Sequence, residues 1–220
     1  AKSFAEADSA TNKFAGSTVL DVANRMSSEY NAFALPELAI VDEHVQLGNT
    51  AYFRDNQLIG YFNREQSRGY VAAVYTIRNG VMVLDIPDIG TISLKLENTS
   101  SKITADLIDD VPHFQIDVSC KAYISEINQD LRKKLSLDVY EKFETALNET
   151  LKLQIESAIE QAVIRDNTDI FNFDVALQQQ QTEYWKVHRD SWAQELTKIK
   201  YTVNVTSSVD RVQQEASPAF

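Results

Sequence analysis

The chain has 220 residues, of which 44% are apolar and 24% charged, and it contains only six glycines and four prolines. A chain of this length and composition can bury a core without needing a disulfide or a metal. Its formal net charge of −11 repels phosphate backbones, and no local basic stripe offsets it, so the sequence argues against nucleic-acid binding.

The first part of the chain is predicted to be a polar lead, a short helix and a strand. Residues 1–13 are small and polar, and apolar residues at helical spacing predict an amphipathic helix over 17–30. Pro36 is expected to break that pattern before a buried strand at 38–41. The glycine and asparagine at 48–49 favour a turn, which is our best candidate for a domain boundary.

An aromatic hairpin and a helix are predicted next. Residues 50–53 and 57–62 are short aromatic-rich runs around a polar turn. Asn63 can cap the following helix, and Glu65 lies in its first turn, where a negative charge is favourable. A glycine inside a helix costs about 1 kcal/mol relative to alanine, so Gly69 predicts close packing against a neighbouring element.

The clearest pattern in the chain runs from residue 91 to residue 124. Apolar and polar residues alternate in three segments, and turn-forming residues separate these segments. The pattern predicts an antiparallel meander with one buried and one wet face. The strands are expected at 92–96, 103–107 and 114–120, and the turns at 98–101 and 109–112.

The remainder is predicted to add helices and a final strand. An apolar residue at every fourth position predicts one long amphipathic helix over 137–164, laid across the apolar face of the meander. A second helical stretch is predicted at about 175–196, and an alternating strand at 199–206 is expected to join the sheet at an edge or between strands. Residues 213–220 are polar and expected to be disordered. The predicted fold class is therefore α+β, an antiparallel meander sheet packed by one long and several shorter helices.

No group of reactive side chains stands out in the sequence. The adjacent carboxylates at 109–110 are typical of a turn, and Cys120, the only cysteine, lies on the apolar side of a predicted strand. A single cysteine excludes an intrachain disulfide. The histidines lie far apart, and none has a second ligand-type residue at metal spacing: His44, His113 and His188. We therefore expect neither enzymatic activity nor a metal or other cofactor.

Trp185 and Trp192 leave two interpretations open. They lie seven residues apart, which places them on the same side of one predicted helix. An exposed pair could form an aromatic platform for a ligand, whereas a buried pair would anchor the core, which is the commoner use. We expect both side chains to be substantially buried.

Two stretches carry motif residues in a fixed order. The first, 50–69, has a phenylalanine, a charged turn, a Leu-x-Gly and a helix start with a glutamate and a following glycine. The second has an aspartate, two tryptophans and the valine-rich strand at 199–205. This order resembles the C-terminal domain of the Ger(x)C family, the C subunits of GerA-type spore germinant receptors. The motif positions, which we expect to be structural, are Phe53, Gly60, Glu65, Gly69, Asp169, Trp185 and Trp192.

The resemblance implies a division of the chain. Residues 1–48 would be the C-terminal part of a preceding domain, 49–213 the C-terminal Ger(x)C domain, and 214–220 a disordered tail. The chain departs from the family pattern at three places: Asp174 replaces a common glycine, Glu183–Tyr184 replaces a proline before the first tryptophan, and no glycine closes the last strand near Gln213.

The resemblance also implies a non-catalytic subunit of a nutrient-germinant receptor. Such a C subunit is a lipoprotein, tethered by an N-terminal lipidated cysteine to the outer face of the inner spore membrane beside an A and a B subunit. The chain shows no signal peptide and no bilayer-length apolar segment, so the anchor would lie upstream and this segment is expected to be soluble. The alternative is a small-molecule binding module, motivated by the tryptophan pair and the tyrosine-rich hairpin.

Overall fold

The elements follow one another as a helix, a small sheet, a second helix, a larger sheet, and a group of helices before the last strand. The computed structural model describes residues 19–27, 30–41, 44–77, 80–127 and 135–210. In chain order they form α1 (Val19–Met26), β1 (Ala32–Val41), β2 (His44–Arg54), β3 (Gln57–Tyr61), α2 (Arg64–Val74), β4 (Gly80–Ile86), β5 (Gly90–Ile108), β6 (Val111–Ile127), α3 (Leu137–Ile159), α4 (Phe173–Gln180), α5 (Thr182–His188), α6 (Trp192–Glu195) and β7 (Lys200–Asp210). A π-helical turn, Glu160–Arg165, extends α3, and a 3₁₀ turn, Arg189–Ser191, joins α5 to α6.

The strands form two sheets, and the predicted α+β fold class is confirmed. The small sheet is antiparallel with the order β1-β2-β3. In the larger sheet β4, β5 and β6 form an antiparallel meander, and β7 pairs in parallel with β6 at the edge. The predicted long helix is confirmed as α3, whose apolar stripe is fully buried against the sheet and the neighbouring helices: Phe143, Leu147, Leu151 and Ile155.

Strand β5 runs through a predicted turn. The polar run at 98–101 continues the strand as a β-bulge, with a register shift against β6 between Leu96 and Asn98. The bulge moves the buried face by one residue, so that Leu96 and Thr99 are both buried. Thr99 is accommodated because it exchanges two hydrogen bonds with the backbone of Ile77, at 2.7 and 3.0 Å. The predicted turn was therefore wrong, and β4 supplies the third antiparallel strand.

Both predicted hairpin turns with paired polar residues are confirmed. Asp55 and Asn56 join β2 to β3 with φ values of 51° and 61°. Asp109 and Asp110 join β5 to β6 with φ values of 53° and 60°. Aspartate and asparagine tolerate this left-handed region, which gives a two-residue loop the twist that antiparallel strands require.

The small sheet corrects three predictions. The strand at 38–41 exists as the end of β1, but it is not buried there, because Leu38 and Ile40 are 63% and 80% exposed. Pro36 does not precede the strand; it lies inside β1, beside a register shift at the edge of the sheet, where a missing N–H is tolerated. The predicted turn at 48–49 is wrong because both residues lie within β2. The domain division near this point stays a prediction.

Helix α2 forms as predicted, whereas α1 is shorter than expected. Helix α1 ends at Met26, and the predicted positions 17–18 and 28–29 lie outside the described residues, as do the predicted lead and tail. Asn63 caps α2 through a capping box: its side chain accepts the N–H of Gln66 at 2.8 Å, and Gln66 accepts the N–H of Asn63 at 3.0 Å.

Gly69 lies where α2 crosses α3. A Cβ atom on this residue would lie 2.2 Å from the carbonyl oxygen of Gln154, so only glycine lets the two backbones approach this closely. The predicted close packing is confirmed. It fixes the position of α2 over the sheet.

The second helical stretch is broken rather than continuous. Gln181 leaves the helical region between α4 and α5, with φ −131° and ψ 53°. Trp185 and Trp192 therefore lie in different short helices. They are 5% and 1% exposed, which confirms their predicted burial. The predicted final strand is confirmed as β7.

Candidate functional site

The loop of residues 166–172, between the π-turn of α3 and the start of α4, collects many of the long-range polar contacts in the described structure. Asn167 and Asn172 adopt positive φ values of 50° and 64°, and these two residues turn the chain sharply at either end of the loop. Thr168 and Asp169 between them are fully buried. A buried polar loop is stable only when its groups find partners, and the partners come from five other elements.

Asp169 is the acceptor at the centre of this loop. Its carboxylate accepts the backbone N–H groups of Phe173 at 3.1 Å and Asp174 at 2.7 Å, and so caps the start of α4. It also accepts the indole N–H of Trp192 at 3.2 Å. Burial and the neighbouring Asp174 carboxylate raise the pKa of Asp169.

Arg25 connects α1 to the same loop. Its Nη1 lies 3.0 and 3.2 Å from the two carboxylate oxygens of Asp174. Its Nε donates to the carbonyl oxygen of Ala32 at 3.0 Å, and its Nη2 to the carbonyl oxygen of Asp169 at 3.2 Å. One guanidinium therefore bonds the buried Asp174 carboxylate and two backbone carbonyl oxygens. The departure of Asp174 from the family's glycine coincides with this ion pair.

The hairpin of β2 and β3 is attached to the other end of the loop. The hydroxyl of Tyr52 donates to the carboxylate of Asp166. Arg54 donates to the carbonyl oxygens of Asp166 and Asn167, at 3.1 and 2.6 Å. The hydroxyl of Tyr30 donates to the carbonyl oxygen of Asn167 at 2.9 Å. The small sheet is thus held to the helical layer by side chains that were not foreseen.

Two predicted motif residues support that hairpin. A Cβ atom on Gly60 would lie 2.4 Å from the hydroxyl oxygen and 2.7 Å from the ring of Tyr52, so a larger residue there would displace this tyrosine from Asp166. Phe53 stacks on Phe33 with ring centroids 5.1 Å apart. Glu65 stands apart from the loop, exposed in the first turn of α2.

The two tryptophans form a buried aromatic cluster below the loop. Their rings meet edge to face at 5.6 Å, and Trp192 lies 6.3 Å from the ring of Phe114. Because both indoles are buried, the interpretation as an exposed ligand platform is wrong. The structure thus brings Asp169, Trp185 and Trp192 together. The long-range partners of the 166–172 loop left no local pattern in the sequence: Arg25, Tyr30, Tyr52 and Arg54.

Two concave regions border these elements. A cleft of about 410 Å³ lies between α1, β1 and α2, next to the 166–172 loop, and Arg25, Phe33, Tyr70 and Tyr75 are among its lining residues. A shallow basin of about 570 Å³ crosses β5, β6 and β7 and is lined by serine and threonine residues with one cation, Lys121.

The described residues offer little reactive chemistry. Among them, no three His, Cys, Asp or Glu side chains converge in a way that could hold a metal ion. Burial raises the pKa of Cys120 to about 12, which keeps the thiol protonated. His113 is paired with the hydroxyl of Thr202 at 3.0 Å, and His188 with the carbonyl oxygen of Tyr184 at 2.9 Å. The arrangement can hold parts of the chain in a fixed orientation.

Comparisons with known proteins agree with the architecture. The family model described as spore germination B3/GerAC-like, C-terminal, matches residues 48–213. The fold matches the crystal structure of the GerBC protein with a TM-score of 0.77 and 14% sequence identity, over 86% of this chain and 60% of the GerBC chain. The chain therefore spans less than two thirds of the protein it matches, and the likeness shows the fold. No curated protein matches at a significant level. None of the helices in the described ranges is both long and apolar enough to cross a membrane.

Proposed function

The chain belongs to the spore germination B3/GerAC-like C-terminal family, and from this premise we propose that it is the C-terminal part of the C subunit of a nutrient-germinant receptor. In this proposal it is a non-catalytic subunit that acts by contacts with other proteins. The Ger(x)C family is a family of receptor subunits, which is the main support for this role.

The polar network around the 166–172 loop is the structural feature that agrees best with this role. It joins α1, the small sheet and the short helices through buried and partly buried hydrogen bonds, including the contact between Arg25 and Asp174. A subunit that assembles with others needs surfaces held in a constant relative orientation, because ordering them during binding would weaken the complex. In the described residues the network ends in no nucleophile and no metal cluster. The function that such a network supports best is to hold α1, the small sheet and the short helices in a constant relative orientation.

The partners and the location follow from the family rather than from the geometry. We propose that the full-length protein lies on the outer face of the inner spore membrane, held by a lipid on an N-terminal cysteine upstream of this chain. Its partners would be the A and B subunits of the same receptor. The predicted boundary near residue 48 would then separate this domain from the preceding one.

Co-isolation from spore membranes tests the assembly role. The tagged full-length subunit is expected to carry the A and B subunits with it. Arg25→Met should reduce the recovered amount of both at equal amounts of tagged protein, because it releases α1 from the 166–172 loop and from Asp174. The matched control is Lys186→Met, which removes an exposed cation paired with Glu183 at 2.7 Å. Failure of the wild-type subunit to recover either partner would contradict the proposal.

A second candidate function is a small-molecule binding module, and the cleft between α1, β1 and α2 favours it. The cleft has a volume of about 410 Å³ and contains the aromatic side chains of Phe33, Tyr70 and Tyr75, a size and lining within the range of small-ligand sites. This candidate predicts that germinant amino acids or sugars at millimolar concentration raise the melting temperature of the isolated chain. An unchanged melting temperature would favour the assembly role.

A further inference from the structure

The free edge of β7 differs from the other sheet edges. Edge strands commonly carry a proline, a bulge or a short length that prevents a further strand from pairing. Among the other edge strands, β1 has Pro36 and a register shift, and β3 and β4 are short, with five and seven residues. Strand β7 has eleven residues, no glycine or proline, and an unbroken register with β6. Among the described residues it pairs with no strand on its other side.

The backbone direction along β7 follows from one hydrogen bond. The N–H of Val209 donates to Oε1 of Glu144 at 3.0 Å, so it points away from β6. Successive residues of a strand alternate in direction, and the register shows no bulge. The N–H and C=O groups at the other odd positions therefore also point outward: Tyr201, Val203, Val205 and Ser207.

Helix α3 runs beside this edge in the opposite direction. Glu144 contacts Val209 and Ser207 at one end. At the other end the Tyr201 hydroxyl contacts the carboxylate of Glu160 and lies near that of Glu156, and burial together with these carboxylates raises its pKa. Sixteen residues of helix span about 24 Å, and eight residues of strand span about 26 Å. The helix therefore borders the strand along its whole length.

The side of α3 that borders the edge is acidic. The charged side chains beside the edge are Glu144 at one end and, at the other, Glu160 and Glu156 with its ion-pair partner Lys152 at 3.8 Å, and we call these four residues the acidic rim. The rim carries three carboxylates against one ammonium. In the described structure Asn148 also has a buried side-chain oxygen without a hydrogen-bond partner. An edge strand beside a helix is the arrangement that binds extended peptides in several strand-adding domains.

We propose that the free edge of β7 and the acidic rim accept an extended, lysine- or arginine-rich segment of another protein as an added strand. Charge favours a basic segment over a second copy of this chain. Two copies joined edge to edge would bring two acidic rims together, whereas a basic segment neutralises one rim. That the segment belongs to a receptor partner rests on the proposed function. The binding site formed by the edge of β7 and the acidic rim does not rest on the proposed function, and binding measurements on the purified protein test it separately.

The probe is a capped ten-residue peptide of alternating lysine and threonine. Its lysines face the acidic rim, and its threonines face the same way as the polar residues of β7. Two control peptides carry a methyl group on the backbone nitrogen of every lysine or of every threonine. Each control therefore lacks one alternating set of backbone N–H donors but keeps the charge of the parent peptide. Only one set points at β7, so one control should bind at least roughly tenfold more weakly and the other nearly as well as the parent. Equal effects of the two controls, or no binding of the parent, would overturn the proposal.

Amide exchange and two variants complete the test. The peptide should slow exchange of the outward amides at 201, 203, 205 and 207 and leave those at 202, 204 and 206 unchanged, because the latter are already bonded to β6. The double variant Glu156→Gln with Glu160→Gln should keep the melting temperature while weakening binding several-fold and reducing its salt dependence. Ser207→Pro removes one outward N–H and should also weaken binding. A dimer by light scattering that dissociates in Ser207→Pro would show that a second copy takes the edge instead.

Discussion

Replacing Arg25 by methionine is predicted to destabilise the protein by about 3 kcal/mol. The substitution keeps much of the side-chain volume but removes the guanidinium that bonds the Asp174 carboxylate and the backbone carbonyl oxygen of Asp169. Removing one partner of a buried ion pair costs about 3–5 kcal/mol, because the remaining charge stays desolvated. We take the lower end of that range, since the Arg25 side chain is 15% exposed and the Asp174 side chain 7%.

A double-mutant cycle with Asp174→Asn separates the ion pair from the backbone contacts of Arg25. The loss of unfolding free energy in the double variant should be about 2 kcal/mol smaller than the summed losses of the two single variants. The reason is that the double variant retains no charged group whose partner is missing. Urea unfolding followed by the fluorescence of the two buried tryptophans measures each corner of the cycle. The exposed pair of Lys186 and Glu183 serves as the control and should show no measurable coupling. A coupling energy below about 0.5 kcal/mol for Arg25 and Asp174 would refute the view that this pair holds α1 to the first turn of α4.

Three further predictions concern packing and pH. Gly69→Ala should cost about 3 kcal/mol by urea unfolding, because its Cβ would overlap the α3 backbone, and an unchanged unfolding midpoint would count against the contact. Trp185→Ala and Trp192→Ala should each cost about 3–5 kcal/mol, and wild-type melting temperatures would show that the indoles are not buried. The pKa of Asp169 is raised to about 7 by burial and Asp174, so its protonated form contributes stability that is fully present below about pH 4 and lost as the pH rises through about 7. The stability of the wild type relative to Asp169→Asn should therefore fall between about pH 4 and pH 7, and a constant difference would contradict the shift.

Local chemistry was sufficient to predict the elements whose signals lie within a few residues. Asn63 and the residues after it form the expected helix cap. Paired polar residues at 55–56 and 109–110 form the expected hairpin turns. The four-residue apolar period predicted α3 and its buried face. In each case the groups that determine the structure are close neighbours in the chain.

Where the local structure depends on residues far apart in the chain, the sequence pattern was misleading or gave no signal. The polar run at 98–101 is typical of a turn, yet the backbone of Ile77 pairs with Thr99 and keeps the chain extended. Asp169 and Trp192 were identified as motif positions, but their hydrogen bond crosses 23 residues, and the pair of Arg25 and Asp174 crosses 149. Such pairs leave no periodic pattern. The alternation in β7 likewise did not reveal whether this strand would be central or at an edge.

The nutrient response of spores that carry a single receptor of this type tests the central claim most directly. The measurement compares germination of spores in which the coding segment for residues 19–210 is deleted with germination of spores in which the full-length gene is restored. The proposed role as a receptor subunit predicts that the deletion abolishes the response to nutrients and that the restored gene returns it. An unaltered response in the deletion strain would contradict the account.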